Sequence, residues 1–405
     1  MKKVLIIEDD QVVGNSFYNA LMAEGYHVRF AADGESGLGL TRDFKPDVIL
    51  LDLILPRLSG LEVIQRIRAD KDLYRTPIIV FTNAYQSNAV QDAWKAGATK
   101  CISKLTFSQR ELLVVVQRTL EDQTFGRTIS ATVRPQISPP AAAATPASAD
   151  LSEDTDFVFQ AGLRRNYLEN QPATLAGLRN ALQDLTKAGD QASRHNAIHT
   201  LFRRVHALAG NAGLAGMIQV AHLASALEAL LKELQEKPSN LNPSTVRTVA
   251  AGVDALGALF ETILEPHSLE LSAARILVAD DEEISRRAII YALEKAQLMP
   301  ISVSSGEAAY KLLMEQPFDL VFLDVDMPGV SGLELCTKLR ALPAHKKTPV
   351  VFVTALSDFE HRTSSTMAGG NDFIAKPFLF IELTVKALIH LLRAKLPPAK
   401  MRGAE

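Results

Sequence analysis

Short apolar runs alternate with amphipathic stretches in the first third of the chain. The apolar runs cover residues 4–7, 48–51 and 78–81, and their length is typical of strands buried on both faces of a parallel sheet. Amphipathic stretches predict helices at residues 11–24, 34–41, 61–70, 88–95 and 108–120. Gly25 and Gly97 stand where such helices end. Strands that alternate with helices predict a doubly wound α/β domain.

The same pattern returns near the other end of the chain. MKKVLIIEDD pairs with AARILVADDE, DVILLDLILPRLSG with DLVFLDVDMPGVSG, and TPIIVFTNA with TPVVFVTAL. Matching positions keep a constant offset of 272 residues, as for Asp52 and Asp324, and no insertion interrupts it. We therefore predict two copies of one domain, at residues 1–122 and 274–397.

The region between the two copies has a helical period and no strand signature. Helical periods cover residues 157–169, 172–187, 192–208, 214–234 and 243–263. Asn211 and Gly213 predict a break or bend between the third and fourth helices. Short connections favour antiparallel neighbours in an all-α bundle, predicted at residues 153–265. The remaining segments are predicted to be a flexible Pro/Ala-rich linker at 123–152, a short linker at 266–273 and a tail at 398–405.

Composition narrows the class of protein. The 405 residues are 47% hydrophobic and 22% charged, as in ordinary globular proteins, and the net charge of −3 without a long basic run disfavours nucleic-acid binding. Two distant cysteines match no metal spacing and favour a reducing compartment. The apolar run before Glu8 contains only four residues, too few for a signal peptide. No apolar run approaches the roughly 18 residues that a membrane-spanning helix needs. We expect a cytoplasmic protein without membrane or nucleic-acid partners.

Polar residues stand at the carboxyl ends of the predicted strands, where α/β sheets bind ligands. They are Glu8, Asp9, Asp52, Thr82 and Lys104 in the first copy, and Asp280, Asp281, Asp324, Thr354 and Lys376 in the second. Converging carboxylates call for a cation, and hard oxygen ligands suit Mg²⁺. A hydroxyl and an ammonium match phosphoryl oxygens, so the set predicts phosphoryl transfer. A structural ion cluster is the alternative, which the repetition in register disfavours.

His206 lies in the stretch FRRVHALAGNAGLAG, among small and apolar residues. Residues three and four apart share a helix face, so Ala209 and Gly210 flank the imidazole on its own face. Another protein can approach such a face closely, which suits an imidazole that passes a group between proteins. A histidine packed against a neighbouring helix fits the segment equally well. The stretch alone leaves both interpretations open.

Both outer copies resemble the receiver domains of two-component response regulators, which are flavodoxin-like modules with a five-stranded parallel sheet. The resemblance implies that Asp52 and Asp324 are phospho-acceptors and that Thr82, Thr354, Lys104 and Lys376 contact the phosphoryl group. It also implies Mg²⁺ ligands, namely Glu8, Asp9, Asp52, Asp280, Asp281 and Asp324. A backbone carbonyl at Ile54 or Asp326 is expected to contact the metal as well. The side chain of Asp326 is an additional acid that either adjusts metal affinity, places a water or faces solvent.

The central bundle resembles a histidine-phosphotransfer (HPt) domain. The motif is His206-Ala-Leu-Ala-Gly210, followed by Leu223-Ala-Ser-Ala-Leu-Glu228. By this resemblance His206 is the phospho-acceptor and Glu228 hydrogen-bonds its ring. Ala209 stands where the family usually has lysine, and Arg203, one turn earlier, is a candidate substitute. His199 is the second candidate acceptor, whereas His195 and His222 are expected to be solvated or packed.

The two receiver-like copies differ at positions that the family uses for switching. The second copy has Phe373 and Pro377, the family's aromatic position and its lysine–proline pair, where the first has Cys101 and Leu105. Proline fixes the local backbone, and a bulky aromatic can present two surface states. We therefore expect the second copy to carry signal output and the first to handle phosphoryl groups.

Together these resemblances predict a Mg²⁺-dependent phosphorelay protein that exchanges phosphoryl groups with sensor histidine kinases or other response regulators. The chain shows no ATP-binding kinase module and no output enzyme, and receivers catalyse only their own phosphorylation and dephosphorylation. Two alternatives remain open. One is a regulated adaptor with a degenerate HPt docking module, and the other is the regulatory part of a longer response regulator.

Overall fold

The computed structural model describes residues 1–82, 87–103, 109–125, 153–262, 274–354 and 369–396. Contacts divide the chain into two compact units. One unit comprises residues 1–169 and 210–218, and the other comprises residues 170–209 and 219–405. Of the predicted linker 123–152, residues 123–125 belong instead to the last helix of the first α/β domain, and residues 126–152 lie outside the described residues. The predicted linker 266–273 and tail 398–405 lie outside them as well.

The first α/β domain contains a parallel sheet of five strands. The strands are β1 Lys3–Ile7, β2 His27–Ala31, β3 Val48–Asp52, β4 Ile78–Thr82 and β5 Lys100–Ser103. The helices are α1 Gln11–Ala23, α2 Gly34–Phe44, α3 Gly60–Ala69, α4 Ser87–Ala96 and α5 Gln109–Phe125. The strand order is β2-β1-β3-β4-β5, which confirms the doubly wound prediction.

Local sequence explains where these elements begin and end. Every residue of β3 is buried, as its apolar run predicts for a central strand covered by helices on both faces. Asp10 caps α1 by accepting hydrogen bonds from the backbone N–H groups of Val12 and Val13. Gly25 and Gly97 follow α1 and α4 with φ of 81° and 105°, a region that favours glycine, so both predicted helix ends are confirmed.

The second α/β domain repeats the first in register. Its strands are β6 Ile276–Ala279, β7 Pro300–Val303, β8 Leu320–Asp324, β9 Val350–Thr354 and β10 Asp372–Ala375. Its helices are α10 Glu283–Lys295, α11 Gly306–Glu315, α12 Gly332–Ala341 and α13 Phe380–Lys395. Asp52 pairs with Phe81 in the first sheet, and Asp324 pairs with Val353 in the second. The 272-residue offset therefore holds in the strand pairing as well as in the sequence.

The central segment is helical, as predicted. The helices are α6 Glu153–Lys187, α7 Gln191–Leu214, α8 Ile218–Glu236 and α9 Pro243–Thr262. Each helix contributes a fully buried leucine to the bundle interior: Leu178, Leu201, Leu227 and Leu256. Most of α8 is buried, which agrees with a sequence that is apolar on nearly every face.

The prediction of separate helices at residues 157–169 and 172–187 is wrong, because α6 runs through both ranges and through Pro172. Proline removes one backbone donor and costs about 3 kcal/mol inside a helix. Downstream, Leu175, Leu178 and Leu185 are buried, and this packing holds the helix together across the missing hydrogen bond. Packing of the helix against its neighbours therefore outweighs the tendency of Pro172 to end a helix.

The predicted break between the third and fourth helices is present, but it lies later than Asn211 and Gly213, because α7 runs through both residues and ends at Leu214, and α8 begins at Ile218. Gly216 follows with a φ of 68°. Its N–H donates to the Gly213 carbonyl, and the N–H of Met217 donates to the Ala212 carbonyl at 2.8 Å. This pair of bonds is a Schellman motif, which ends a helix at a left-handed glycine.

Among the described residues, no helix combines the length and the apolar character that crossing a bilayer requires.

Candidate functional site

In the second α/β domain, three acidic side chains and one lysine meet at the carboxyl edge of the sheet. Asp280 and Asp281 follow β6, and Asp324 is the last residue of β8. The Lys376 ammonium, just after β10, lies 2.9 Å from Oδ2 of Asp280 and 2.9 Å from Oδ2 of Asp324. Carboxylate oxygens of the three aspartates lie within 4.8 Å of one another. The predicted residues are therefore together.

Burial and charge shape the protonation of this cluster. Burial raises the pKa of Asp324, and the negative charge of Asp280 raises it further, although the hydrogen bond and the charge of Lys376 oppose the increase. The pKa of Lys376 is raised, because its bonds to both carboxylates outweigh its burial. Three carboxylates and one ammonium leave two negative charges, and this donor set fits a hard divalent cation.

Neighbouring groups hold Asp280 in place. The Ser285 hydroxyl donates to Oδ2 of Asp280 at 2.6 Å, and the Glu282 N–H donates to Oδ1 at 3.0 Å. Thr354 is buried at the end of β9, and its carbonyl accepts a hydrogen bond from the Lys376 N–H at 2.7 Å. Ser285 was not predicted from the sequence, and its only signal is its position in the first turn of α10. Asp326 is exposed, which favours the solvent-facing alternative for this side chain.

The first α/β domain presents a related arrangement. Glu8 and Asp52 are buried, and a carboxylate oxygen of Asp9 lies within 4.8 Å of one of Asp52. The N–H of Ile54 donates to Oδ1 of Asp52 at 3.2 Å. Thr82 ends β4, but its side chain lies outside the described residues, and so does all of Lys104.

An ion pair in the first domain escaped the sequence analysis. Arg57 contacts the buried carboxylate of Asp33 and has a φ of 67°. The equivalent residue of the second domain is Gly329, with a φ of 77°. The difference between Arg57 and Gly329 could have predicted this ion pair. An arginine in a left-handed conformation, where the other copy has glycine, needs a compensating contact.

In the bundle, His206 on α7 and Glu228 on α8 form a buried hydrogen-bonded pair. Nδ1 of His206 lies 3.0 Å from Oε1 of Glu228. Only 7% of His206 and none of Glu228 is exposed. Phe202 stacks on the imidazole, with ring centroids 6.2 Å apart. A carboxylate at Nδ1 favours the tautomer with the proton on Nδ1, which leaves the lone pair on Nε2.

The other sequence candidates in the bundle have different surroundings. His199 is exposed, and its Nδ1 lies 2.8 Å from Nε2 of Gln235. Burial lowers the pKa of His222, and His195 is exposed. Ala209 is fully buried, whereas Arg203 is exposed. His206 is the histidine with the carboxylate contact that the HPt resemblance implies.

Known protein families and characterised relatives match large parts of this chain. The model described as the response regulator receiver domain matches residues 4–117 and 276–388, and the Hpt domain model matches residues 162–259. The transcriptional regulatory protein SrrA of Staphylococcus aureus (strain NCTC 8325 / PS 47) is 37% identical over 117 residues, which are 28% of this chain and 47% of that protein. The chain thus spans about half the length of the curated relatives it matches.

Two solved structures resemble parts of this chain. One is a response regulator receiver domain protein (CheY-like) from Methanospirillum hungatei JF-1, at 27% identity, which covers 31% of this chain and 98% of that chain with a TM-score of 0.29. The other is the receiver domain of sensor histidine kinase PA1611 from Pseudomonas aeruginosa PAO1, with a magnesium ion in its active site cleft. It is 29% identical and covers 30% of this chain and 98% of that chain, with a TM-score of 0.28.

The receiver model matches more than half of the 405 residues, and the Hpt match falls between its two copies. The chain therefore belongs to the response regulator receiver family, with two receiver domains flanking an Hpt domain.

Proposed function

We propose that this protein is a phosphorelay component that passes phosphoryl groups between His206 of the Hpt domain and the receiver aspartates Asp52 and Asp324. The observation that carries the proposal is the buried bond between Nδ1 of His206 and Glu228. A packed structural histidine needs only some hydrogen-bond acceptor, and a neutral one is sufficient. A nucleophilic imidazole needs the carboxylate, because the carboxylate stabilises the positive charge that the ring carries while it is phosphorylated.

Transfer from the histidine to the second receiver requires one bond to form and one to break. An oxygen of Asp324 attacks phosphorus, the N–P bond to Nε2 breaks, and its electron pair returns to the ring. Lys376, already 2.9 Å from Asp324, is placed to neutralise charge on the transferred group. Asp280 orients this ammonium through its own 2.9 Å contact.

Receiver domains generally bind Mg²⁺, and here Asp280, Asp281 and Asp324 are the residues that would hold it. In the first receiver the corresponding residues are Glu8, Asp9 and Asp52. The bound metal would neutralise phosphoryl oxygens during transfer. The convergence of three carboxylate oxygens within 4.8 Å supports this assignment in the second receiver.

The proposal implies protein partners for the incoming and outgoing phosphoryl groups. Receiver and Hpt domains point to sensor histidine kinases or other response regulators as those partners. Small phosphodonors such as acetyl phosphate are an alternative source, because each receiver supplies its own acceptor.

A transfer assay with single acceptor substitutions tests the proposal. The protein is incubated with a radiolabelled phosphorylated histidine kinase, and label on each domain is followed after limited proteolysis. We expect His206→Gln to abolish acid-labile label on the bundle and Asp324→Asn to abolish label on the second receiver.

Asp326→Asn is the matched control, since it removes an exposed carboxylate only two residues from Asp324. Its second receiver should be labelled as in the wild type. Label that persists on the second receiver of Asp324→Asn would remove Asp324 from its role. A bundle that never carries label would favour the adaptor alternative instead.

A further inference from the structure

Helix α9 of the Hpt bundle packs along α13 of the second receiver, within one compact unit. The hydroxyls of Ser244 and Thr248 donate to the same oxygen, Oε1 of Glu382, at 2.7 and 3.0 Å. Farther along, the Arg393 guanidinium donates to the carbonyl of Ala251 at 3.2 Å. Polar contacts thus join the two helices over about two turns.

The middle of helix α13 is buried on all sides, and contacts within the receiver cover only one of those sides. Its residues 382–389 are all buried. One side packs on the receiver, where the Thr384 hydroxyl donates to the Ala292 carbonyl of α10 at 3.0 Å. The opposite side, with Glu382, packs on α9. A buried carboxylate destabilises the fold unless it is hydrogen-bonded. The two hydroxyls of α9 therefore stabilise the buried position of Glu382 on α13.

The same contact reaches strand β10. The guanidinium of Arg247, on α9, lies 5.0 Å from the ring centroid of Phe373, on β10. Phe373 is half-buried, and it also packs against the core of the second receiver. One aromatic ring therefore contacts both the receiver interior and the bundle. Its neighbour Asp372 bonds the buried Lys386 of α13 at 2.7 Å.

Strand β10 connects this contact to the acidic cluster. Phe373 and Lys376 are three residues apart, and the Lys376 ammonium bonds Asp324 and Asp280. The strand is held against β9 by pairing of Phe373 with Phe352 and of Ala375 with Thr354. A phosphoryl group on Asp324 adds negative charge beside Lys376 and changes what this ammonium binds. Strand β10 contains Phe373, whose ring contacts Arg247, and it is followed directly by Lys376.

We propose that the Hpt bundle is the partner on which the second receiver acts. The bundle docks through α9 on α13 and β10, and the charge state of Asp324 changes that contact through Lys376 and Phe373. Any other protein that uses this face of the second receiver must compete with the bundle. The inference rests on the proposed function only in taking Asp324 as the phosphorylated residue.

Amide hydrogen exchange on the full chain tests the coupling. The Asp52→Asn background silences the first receiver, and Mg²⁺ with beryllofluoride stands in for the phosphoryl group on Asp324. We expect exchange along residues 243–252 of α9 to change when beryllofluoride is added. Arg247→Ala should reduce that change about two- to fivefold, the factor expected from loss of one cation–π contact. Arg165→Ala, an exposed arginine on α6, is the matched control and should preserve it.

Thr248→Val provides a second test that keeps the shape of the side chain. It removes one hydroxyl from Glu382, so α9 should exchange faster even without beryllofluoride. Labelling of Asp324 by acetyl phosphate is measured in parallel on every variant. Labelled Asp324 with an unchanged α9 would overturn the inference and leave the proposed function standing. Equal responses in Arg247→Ala and Arg165→Ala would also overturn it. Failure to label Asp324 would contradict the proposed function and the inference with it.

Discussion

At the scale of single residues, the proposed phosphorylation of His206 would depend on a carboxylate that is itself fully buried. Glu228 has no exposed surface, and its Oε1 lies 3.0 Å from the imidazole. Burial strengthens the interaction, because few water molecules screen the charge. Glu228 is a positioning residue in this view, since it acts on phosphorus only through the ring.

We predict that Glu228→Ala slows transfer to His206 about tenfold to hundredfold, the loss expected for a hydrogen bond to a charged group. Glu228→Gln should lose less, because an amide oxygen still accepts from Nδ1 and preserves the tautomer. Rapid-quench measurement of acid-labile label gives both rates. Gln235→Ala, which removes the contact of the exposed His199, is the control and should transfer normally. A slow Gln235→Ala with a normal Glu228→Ala would make His199 the acceptor.

Asp372 is a second residue whose environment makes a specific prediction. Burial opposes its ionisation, but the hydrogen bond from His390 and the charge of Lys386 lower its pKa from 3.8 to about 2. A lowered carboxyl pKa stabilises the folded state above the unfolded pKa, and this stabilisation is lost as pH falls toward the folded pKa. The sensitive range therefore lies between about pH 4 and pH 2.

We expect Asp372→Asn to lower the free energy of unfolding of the second receiver by about 2 kcal/mol at pH 7, at roughly 1.4 kcal/mol per pKa unit. The difference from the wild type should shrink toward zero as the pH approaches 2. Urea unfolding at a series of pH values measures it, with exposed Asp326→Asn as the control. A difference that stays constant with pH would show that the carboxylate charge is not responsible.

The residues at the site were predictable to different degrees. The strand-end acids follow from the strand pattern, because the backbone of a parallel sheet brings strand ends together. The pairing of His206 with Glu228 was implied by the HPt resemblance. Ser285 and Arg57 were missed, since their contacts depend on side-chain directions that spacing does not give. The roles of all these site residues remain predictions, and the side chain of Thr82 and all of Lys104 also lie outside the described residues.

At the scale of helices and strands, the most informative element is the connection between α7 and α8. Asn211 and Gly213 predicted a break at their own positions, yet both are helical, and the helix ends at Leu214, just before the left-handed Gly216. Single residues are weak signals of helix ends, whereas the Schellman hydrogen bonds at Gly216 and Met217 fix the end in the folded structure. Continuous apolar runs placed β1, β3 and β4 correctly, because these strands are buried. Strand β2 was not placed, because its residues alternate between buried and exposed and form no such run.

We predict that Gly216→Ala destabilises the bundle by about 1 kcal/mol, the cost of a left-handed conformation for a residue with a Cβ. Thermal unfolding followed by circular dichroism measures the loss. Gly189→Ala is the matched control, since a Cβ at that glycine has no neighbour within 4 Å and its φ is not in the left-handed region. If both variants unfolded alike, the left-handed turn would not explain the helix end.

At the scale of the whole molecule, the two receivers share individual side-chain hydrogen bonds as well as their fold. Arg68 donates to the Gly97 carbonyl, and Arg340 donates to the Gly369 carbonyl, both at 2.8 Å and both at the 272-residue offset. The repeat was readable from the sequence. The docking of α9 on α13 was not, because it depends on contacts between regions of unrelated pattern.

Because each receiver builds its acidic site within its own sheet, phosphorylation of one receiver by a small donor should not require the other or the histidine. We predict that His206→Gln is labelled by acetyl phosphate with Mg²⁺ as strongly as the wild type. Asp52→Asn and Asp324→Asn should each lose the label of one receiver only, since distant independent sites behave additively. Mass spectrometry of the intact protein counts the phosphoryl groups. Removal of Mg²⁺ with a chelator should abolish labelling in every variant, because the clustered carboxylates then repel the negatively charged donor. A folded His206→Gln protein that takes up no phosphoryl group would show that the receivers depend on the bundle for their own chemistry.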